Sequence, residues 1–132
     1  MERAQVLLVE DEVLIQMIAM EYLEEFGLRI ATAGSAAEAL NVLKLMDDDV
    51  CAAIIDVGLP DRRGDVLVAD VRAIKPSLPI VIASGYEEQG LRDRFRLDAR
   101  IAFLSKPYVA EQLRATLASL NVPLSKTDCI EI

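Results

Sequence analysis

The chain has 132 residues, of which 53% are hydrophobic and 27% charged, and these values indicate one globular domain rather than a disordered segment. Asp and Glu number 22 against 14 Lys and Arg, so the net charge of −8 argues against binding to nucleic acid. The absence of histidine excludes Ser-His and Cys-His catalysis and histidine zinc ligands, which leaves carboxylates as the main reactive groups.

Short apolar runs alternate with segments of helical periodicity. The run 6–9 predicts a first strand, and apolar side chains at helical spacing follow it as far as Gly27, a residue typical of helix ends. A second strand is predicted over Arg29–Ala33, at an edge of the sheet because it is more polar. Ser35 to Glu38 has the capping-box pattern that begins a second helix.

The second half of the chain repeats this alternation three times. The run 52–55 predicts a third strand that ends on Asp56, and the turn after it contains Asp61, a typical turn former. Strands four and five are predicted over 80–83 and 101–104, and the weakly patterned stretch 87–97 between them indicates a short helix. The third helix is expected to point Leu67, Val71 and Ile74 inward. The apolar face expected of the fifth helix consists of Val109, Leu113, Leu117 and Leu120.

This alternation predicts an α/β fold with a five-stranded parallel sheet and helices on both faces. We expect one domain over residues 1–121 and a flexible tail over 122–132. No apolar run approaches about 18 residues and no signal peptide is recognisable, so we expect a cytoplasmic protein that does not contact membranes. In such sheets ligands bind beyond the carboxyl ends of the strands.

Polar side chains follow four of the five predicted strands. Glu10 and Asp11 follow the first strand, Asp56 the third, Ser84 the fourth and Lys106 the fifth. Several carboxylates at one rim repel each other unless a cation lies among them, and a hard ion such as Mg²⁺ prefers oxygen ligands. A lysine and a hydroxyl nearby would serve an anion, for which phosphate is the natural candidate.

The motifs that contain these residues resemble the receiver domain of bacterial two-component response regulators, over roughly residues 5 to 120. The four motifs are Val9-Glu10-Asp11, Asp56-Val57-Gly58-Leu59-Pro60-Asp61 with Gly64, Ala83-Ser84-Gly85, and Ser105-Lys106-Pro107. The resemblance implies a flavodoxin-like (βα)5 fold that accepts a phosphoryl group from a sensor histidine kinase or a histidine phosphotransfer protein. It also implies an output protein, which the sequence does not identify, and no enzymatic activity on other substrates.

The resemblance assigns roles to individual residues. Asp56 is the expected phospho-acceptor, and Mg²⁺ is expected to bind the side chains of Glu10, Asp11 and Asp56 and the backbone carbonyl of Gly58. Lys106 is expected to pair with the phosphoryl group.

Three further residues have expected roles in the response to phosphorylation. Ser84 would move to donate a hydrogen bond to the phosphoryl group, and Phe103 corresponds to the switch aromatic. Pro107 corresponds to a structural proline that often follows a cis peptide bond. The surface of the fourth helix, fifth strand and fifth helix would then bind a partner or a second copy of the chain.

The sequence departs from the commoner receiver pattern at three positions. Ser84 replaces Thr, Gly58 provides no side chain two residues after Asp56, and Tyr86 provides a bulky one two residues after Ser84. The Ser84-Gly85-Tyr86 turn resembles a subgroup of stand-alone and hybrid-kinase-attached receivers. We expect no DNA-binding output in this chain, because the tail is too short for such a module.

Other functions remain as alternatives. A pseudo-receiver would bind a partner without phosphorylation, although the intact acids and Lys106 argue against it. An aspartyl phosphatase typically has a second Asp where Gly58 stands, and a flavodoxin has a phosphate loop that is missing after the first strand. Glu12 is expected to be a surface or helix-start charge.

Overall fold

The computed structural model describes residues 4–46, 50–85 and 90–124. Within these residues five strands alternate with five helices. The strands are β1 (Gln5–Val9), β2 (Arg29–Ala33), β3 (Val50–Asp56), β4 (Ile80–Ser84) and β5 (Ile101–Ser105). The helices are α1 (Val13–Glu25), α2 (Ala36–Leu45), α3 (Gly64–Ile74), α4 (Gly90–Phe95) and α5 (Ala110–Ser119).

All five strands are parallel, in the order β2-β1-β3-β4-β5. The predicted α/β fold is therefore confirmed, and so is the position of β2 at an edge. The carboxyl ends of β1, β3, β4 and β5 lie at one rim, because parallel strands in register end on the same side.

The sheet is buried on both faces. Successive side chains of a strand point to opposite faces, so Leu7 and Val9 of β1 pack towards α2 and α3. Val6 and Leu8 pack towards α1 and α5. Double burial explains why the strands are nearly continuous apolar runs that the sequence alone identifies.

Two side chains predicted to point inward are not buried. Ile74 is the last residue of α3 and 39% exposed, and Val109 precedes α5 and is 53% exposed. Both lie at helix ends, where the helix extends beyond the part that covers the sheet. Helical periodicity alone therefore overestimates the length of the buried face.

The N-terminus of α2 has the predicted cap with one difference. The Ser35 hydroxyl accepts a hydrogen bond from the Glu38 N–H at 3.2 Å, as in a capping box. The Glu38 carboxylate, however, accepts from the N–H of Gly34 at 2.8 Å rather than from that of Ser35. The return hydrogen bond is shifted by one residue.

Asp61 also caps α2, from a distant part of the chain. Its carboxylate oxygens accept hydrogen bonds from the N–H groups of Ala36 at 2.8 Å and Ala37 at 3.0 Å. These two donors hold the pKa of Asp61 below its ordinary value. The sequence predicted only a turn former, because nothing local indicates a helix 25 residues away.

The chain after α5 remains packed for several residues. Val122, the first residue beyond the predicted boundary at 121, is 5% exposed and lies in the cluster beneath α1 and α5. The rest of the predicted tail from 125 to 132, and Tyr86 of the predicted Ser84-Gly85-Tyr86 turn, lie outside the described residues. None of the helices in the described ranges is long and apolar enough to cross a membrane.

Candidate functional site

Three carboxylates lie together at the carboxyl end of the sheet. Glu10 and Asp11 follow β1, Asp56 ends β3, and each offers one oxygen within 4.8 Å of the others. Glu10 and Asp56 are 4% and 6% exposed, whereas Asp11 is exposed to solvent. A compact set of oxygens that opens to solvent on one side fits a hard divalent cation.

Lys106 provides the positive charge beside these acids. Its Nζ atom lies 2.9 Å from Oδ1 of Asp56 and 3.4 Å from Oε1 of Glu10. The Lys106 N–H donates to the Ser84 carbonyl at 2.8 Å, which fixes the lysine backbone against β4. Although burial opposes it, the hydrogen bond and the charge of Asp56, supported by Glu10, raise the pKa of Lys106. The ammonium ion is therefore retained at neutral pH.

Glu10 is held by two residues at the N-terminal end of α1, the N-cap Glu12 and Gln16. The N–H of Glu12 donates to Oε2 of Glu10 at 3.1 Å, and the side-chain amide of Gln16 donates to the Glu10 carbonyl at 3.0 Å. Burial and the nearby charge of Asp56 raise the pKa of Glu10, although the Glu12 N–H opposes this. Glu12 itself is exposed at the N-cap of α1, as predicted, whereas no sequence pattern indicated Gln16.

An open cleft of about 330 Å³ brings most of the predicted site together. Asp11, Asp56, Gly58, Ser84 and Lys106 all line it. Polar groups from four strand ends thus face one space large enough for a phosphoryl group and a cation.

Two glycines shape the backbone next to Asp56. A Cβ atom at Gly58 would lie 3.9 Å from Oδ2 of Asp56, an ordinary contact distance, so glycine here simply leaves the carboxylate open. A Cβ atom at Gly64 would lie only 2.5 Å from the Asp56 carbonyl oxygen and 2.6 Å from the Cα atom of Val57. Gly64 is therefore required for α3 to begin this close to the site.

Phe103 lies outside the cleft. It is on β5, partly buried against the cluster on the α2 and α3 face of the sheet. The guanidinium of Arg92, from α4, lies over the ring at 5.1 Å from the centroid, which is a cation–π distance. Phe103 thus contacts α4 rather than the carboxylates.

A second, apolar groove shares Lys106 with the cleft. It has a volume of about 320 Å³ and is lined by Ile15, Ile18, Ala19, Lys106, Pro107 and Tyr108. The Lys106–Pro107 peptide bond is cis. Burial, and to a lesser extent the charge of Glu10, raise the pKa of Tyr108 to about 12, so the phenol remains neutral.

Apolar side chains of α1 remain exposed beside this groove. Val13, Leu14, Met17 and Ile18 are between 49% and 75% exposed. Ile18 is one of the apolar residues at helical spacing after the first strand, and it lies on this outer surface. We call these four residues the α1 patch.

Comparison with known proteins identifies the family. The family model for the response regulator receiver domain matches residues 6–118. The chain belongs to this family. Curated relatives of this receiver domain include the sensor kinase CckA of Brucella abortus, which is 32% identical over 117 residues. The transcriptional regulatory protein PdtaR of Mycobacterium tuberculosis is 35% identical over 109 residues.

The chain spans only part of these relatives. The matches cover 89% and 82% of this receiver domain but 12% of CckA and 52% of PdtaR. Among solved structures, the receiver domain of the hybrid histidine kinase CckA has a TM-score of 0.74 at 25% identity and covers 89% of this chain and 99% of its own. A receiver domain protein from Clostridium thermocellum has a TM-score of 0.81 at 24% identity, with coverage of 89% and 94%, and this likeness concerns the fold.

Proposed function

We propose that this receiver domain accepts a phosphoryl group on Asp56 from a phosphohistidine of a sensor histidine kinase or a histidine phosphotransfer protein. The observation that carries the proposal is the position of Asp56 in the open cleft, with the Lys106 ammonium at 2.9 Å. Residues 1–132 contain no histidine, so the donor histidine lies outside this sequence.

The oxygen atoms of the site fit Mg²⁺. The side chains of Glu10, Asp11 and Asp56 would hold the ion together with the backbone carbonyl of Gly58. When bound, Mg²⁺ supplies positive charge for the phosphoryl oxygens and fixes their orientation.

The residues of the chain perform the transfer mainly by positioning and electrostatics. A carboxylate oxygen of Asp56 attacks the phosphorus atom, an O–P bond forms, and the P–N bond to the donor imidazole breaks. The bonding electron pair remains on the imidazole nitrogen. Lys106 transfers its hydrogen bond from Asp56 to a phosphoryl oxygen, and the Ser84 hydroxyl donates to another.

Phosphorylation would change the local charge and the hydrogen-bond partners of this rim. The phosphoryl group carries about −1.5 to −2 charges and adds acceptor oxygens. Movement of Ser84 and Lys106 towards it would alter the packing of Phe103 and hence the surface of α4, β5 and α5. This surface would bind the output protein or form a homodimer, as a two-state element biased by the modification.

The α1 patch supports a protein as the natural donor. Its exposed apolar side chains and the neighbouring groove lie beside Lys106, so a partner seated there would reach the cleft. We further propose a cytoplasmic location and activity limited to gain and slow loss of the chain's own phosphoryl group. We propose that the receiver unit comprises the expected residues 1–121 and, because Val122 is packed in the core, continues to residue 124.

The test is labelling with a small phosphodonor. We expect incubation with acetyl phosphate and Mg²⁺ to add one phosphoryl group by intact mass, Asp56→Asn to abolish the gain, and the control Asp70→Asn to retain it. No gain at any Mg²⁺ concentration would refute the proposal and favour a pseudo-receiver. Turnover of unrelated phosphate esters would instead indicate a phosphatase.

A further inference from the structure

Asp65 is a buried carboxylate that the proposed phosphorylation does not use. Its side chain is 3% exposed, in the first turn of α3. A buried charge is strongly unfavourable unless it is paired. Nε of Arg63 donates to Oδ1 of Asp65 at 3.0 Å, and the guanidinium of Arg94 donates to Oδ2. The pair with Arg94 connects α3 to α4.

The helix α4 depends on such contacts. It has six residues, fewer than an isolated helix needs for stability in water, and Leu91 is its buried side chain. Its arginines reach two different neighbours, since Arg92 lies over Phe103 of β5 and Arg94 binds Asp65 of α3. Side-chain contacts therefore determine where this short helix lies.

A second ion pair fixes the chain just after α4. Arg72 of α3 binds both oxygens of Asp98, with Nε at 3.0 Å and Nη2 at 3.3 Å, and also donates to the Leu78 carbonyl at 2.6 Å. Residues 90–98 are thus held to α3 at two points. We call the pairs Asp65–Arg94 and Arg72–Asp98 the α4 clamp.

One end of the α4 clamp adjoins the backbone of the proposed phospho-acceptor. The N–H of Gly64 donates to the Val57 carbonyl at 2.9 Å, and Gly64 lies against the Asp56 carbonyl so closely that no Cβ atom fits. Asp65 is the next residue. A displacement of the backbone at Asp56 would therefore reach Asp65 in two steps. Asp56 packs directly against Gly64, and Gly64 is covalently bonded to Asp65.

We propose that Asp65 is a positioning residue which, through Arg94, holds α4 on α3 and couples the position of α4 to the backbone that carries Asp56. The first part concerns the unphosphorylated protein. The coupling rests on the proposed phosphorylation of Asp56.

Hydrogen exchange of the unphosphorylated protein tests the first part. Because the Arg94 side chain is 56% exposed, Arg94→Gln leaves the core intact, and we expect amides of α4 to exchange about tenfold faster while those of β1 and β3 are unchanged. Arg94→Lys should retain most of the protection. Arg96→Gln is the matched control, since Arg96 forms no ion pair with the residues that the structure describes.

Equal exchange in Arg94→Gln and the unmodified protein would overturn the positioning role, as would equal acceleration by Arg96→Gln. Asp65→Asn and Arg94→Gln remove the same ion pair. The double variant should therefore show α4 amide exchange no faster than that of whichever single variant exchanges more rapidly. Additive acceleration would contradict this pairing.

The coupling is tested after labelling with acetyl phosphate. We expect phosphorylation to change α4 exchange in the unmodified protein and to change it less in Arg94→Gln at the same labelled fraction. If phosphorylation changed α4 exchange equally in the unmodified protein and in Arg94→Gln, the coupling would be refuted, but the positioning role would not. Absence of labelling would refute the proposed function and the coupling with it, whereas the positioning of α4 is decided by the unphosphorylated protein.

Discussion

Among the residues that the structure describes, the ammonium ion of Lys106 compensates the buried acids at the rim of the sheet. Lys106 contacts Glu10 and Asp56, whose side chains are 5% and 8% exposed, and Asp11 adds a third negative charge nearby. Removal of one partner from a buried ion pair is destabilising because the other charges stay buried. The carboxylates thus repel one another, and Lys106 reduces this repulsion.

We expect Lys106→Met to lower the free energy of unfolding by about 3 kcal/mol without Mg²⁺ at neutral pH, because two buried carboxylates lose their cation. Added Mg²⁺ should restore more stability to this variant than to the unmodified protein. Urea denaturation with and without Mg²⁺ measures both effects, and Lys44→Met on α2 is the control. Equal responses of the variant and the unmodified protein to Mg²⁺ would show that the acids do not bind the ion.

Gly64 makes a second prediction at the scale of one residue. Gly64→Ala should lower stability by about 2 kcal/mol and slow labelling by acetyl phosphate, because the new methyl group would displace the backbone of Asp56. Gly90→Ala is the control, since a Cβ atom there meets nothing within 4 Å. Thermal unfolding and the labelling rate are the measurements, and unchanged values for Gly64→Ala would mean that α3 can shift freely.

The helices and strands were predictable to different degrees. The central strands β1, β3 and β4 are buried on both faces, so their apolar runs were recognisable without knowledge of their neighbours. Contacts between elements were not recognisable, as with the cap of α2 by Asp61 and the ion pair between Asp65 and Arg94. Their partners lie 25 and 29 residues away along the chain, beyond any local pattern.

The capping of α2 by Asp61 predicts a pH dependence. The pKa of Asp61 is lowered below 3.8 in the folded protein, so its contribution to stability is fully present above the unfolded value and is lost as the pH falls through the lowered value. Asp61→Ala should therefore be less stable than the unmodified protein at pH 7, and the difference should shrink below pH 3.8. Urea midpoints across this range measure it, and a constant difference would contradict the cap.

The α1 patch predicts a difference between protein and small-molecule donors. Leu14→Glu should slow transfer from a phosphohistidine protein by about tenfold, as loss of one central apolar contact does, and leave labelling by acetyl phosphate unchanged. Leu45→Glu is the matched control for Leu14→Glu. Both leucines are at least three-quarters exposed, but Leu45 is the last residue of α2 and does not belong to the α1 patch. Equal slowing by the two variants would place the docking surface elsewhere.

For the whole molecule, topology explains which parts of the site the sequence could predict. Parallel strands bring their carboxyl ends to one rim, so Glu10, Asp56 and Lys106 could be grouped without coordinates. Gln16 could not be grouped with them, because a polar residue on an amphipathic helix does not indicate which backbone carbonyl it meets. The exposed α1 patch was missed for a related reason, since helical spacing does not show how wide the buried face is.

The boundary of the domain can be tested by truncation. A chain that ends at residue 124 should retain the stability of the full chain, whereas one that ends at 121 should lose about 2 kcal/mol because the buried Val122 is removed. Chemical denaturation of the three chains gives the comparison. Equal stability of both truncated chains would show that the packing of Val122 contributes nothing.

Lys106 belongs to the walls of both the acidic cleft and the apolar groove. One side chain therefore takes part in two binding equilibria, and thermodynamic reciprocity requires that their influence on each other be equal in both directions. Suppose that phosphorylation of Asp56 draws Lys106 away from the groove and thereby lowers the affinity of the groove for the donor protein. The bound donor must then disfavour the phosphorylated form of Asp56 by the same factor. If the proposed phosphorylation takes place, Lys106 would thus influence both the release of the donor and the lifetime of the acyl phosphate.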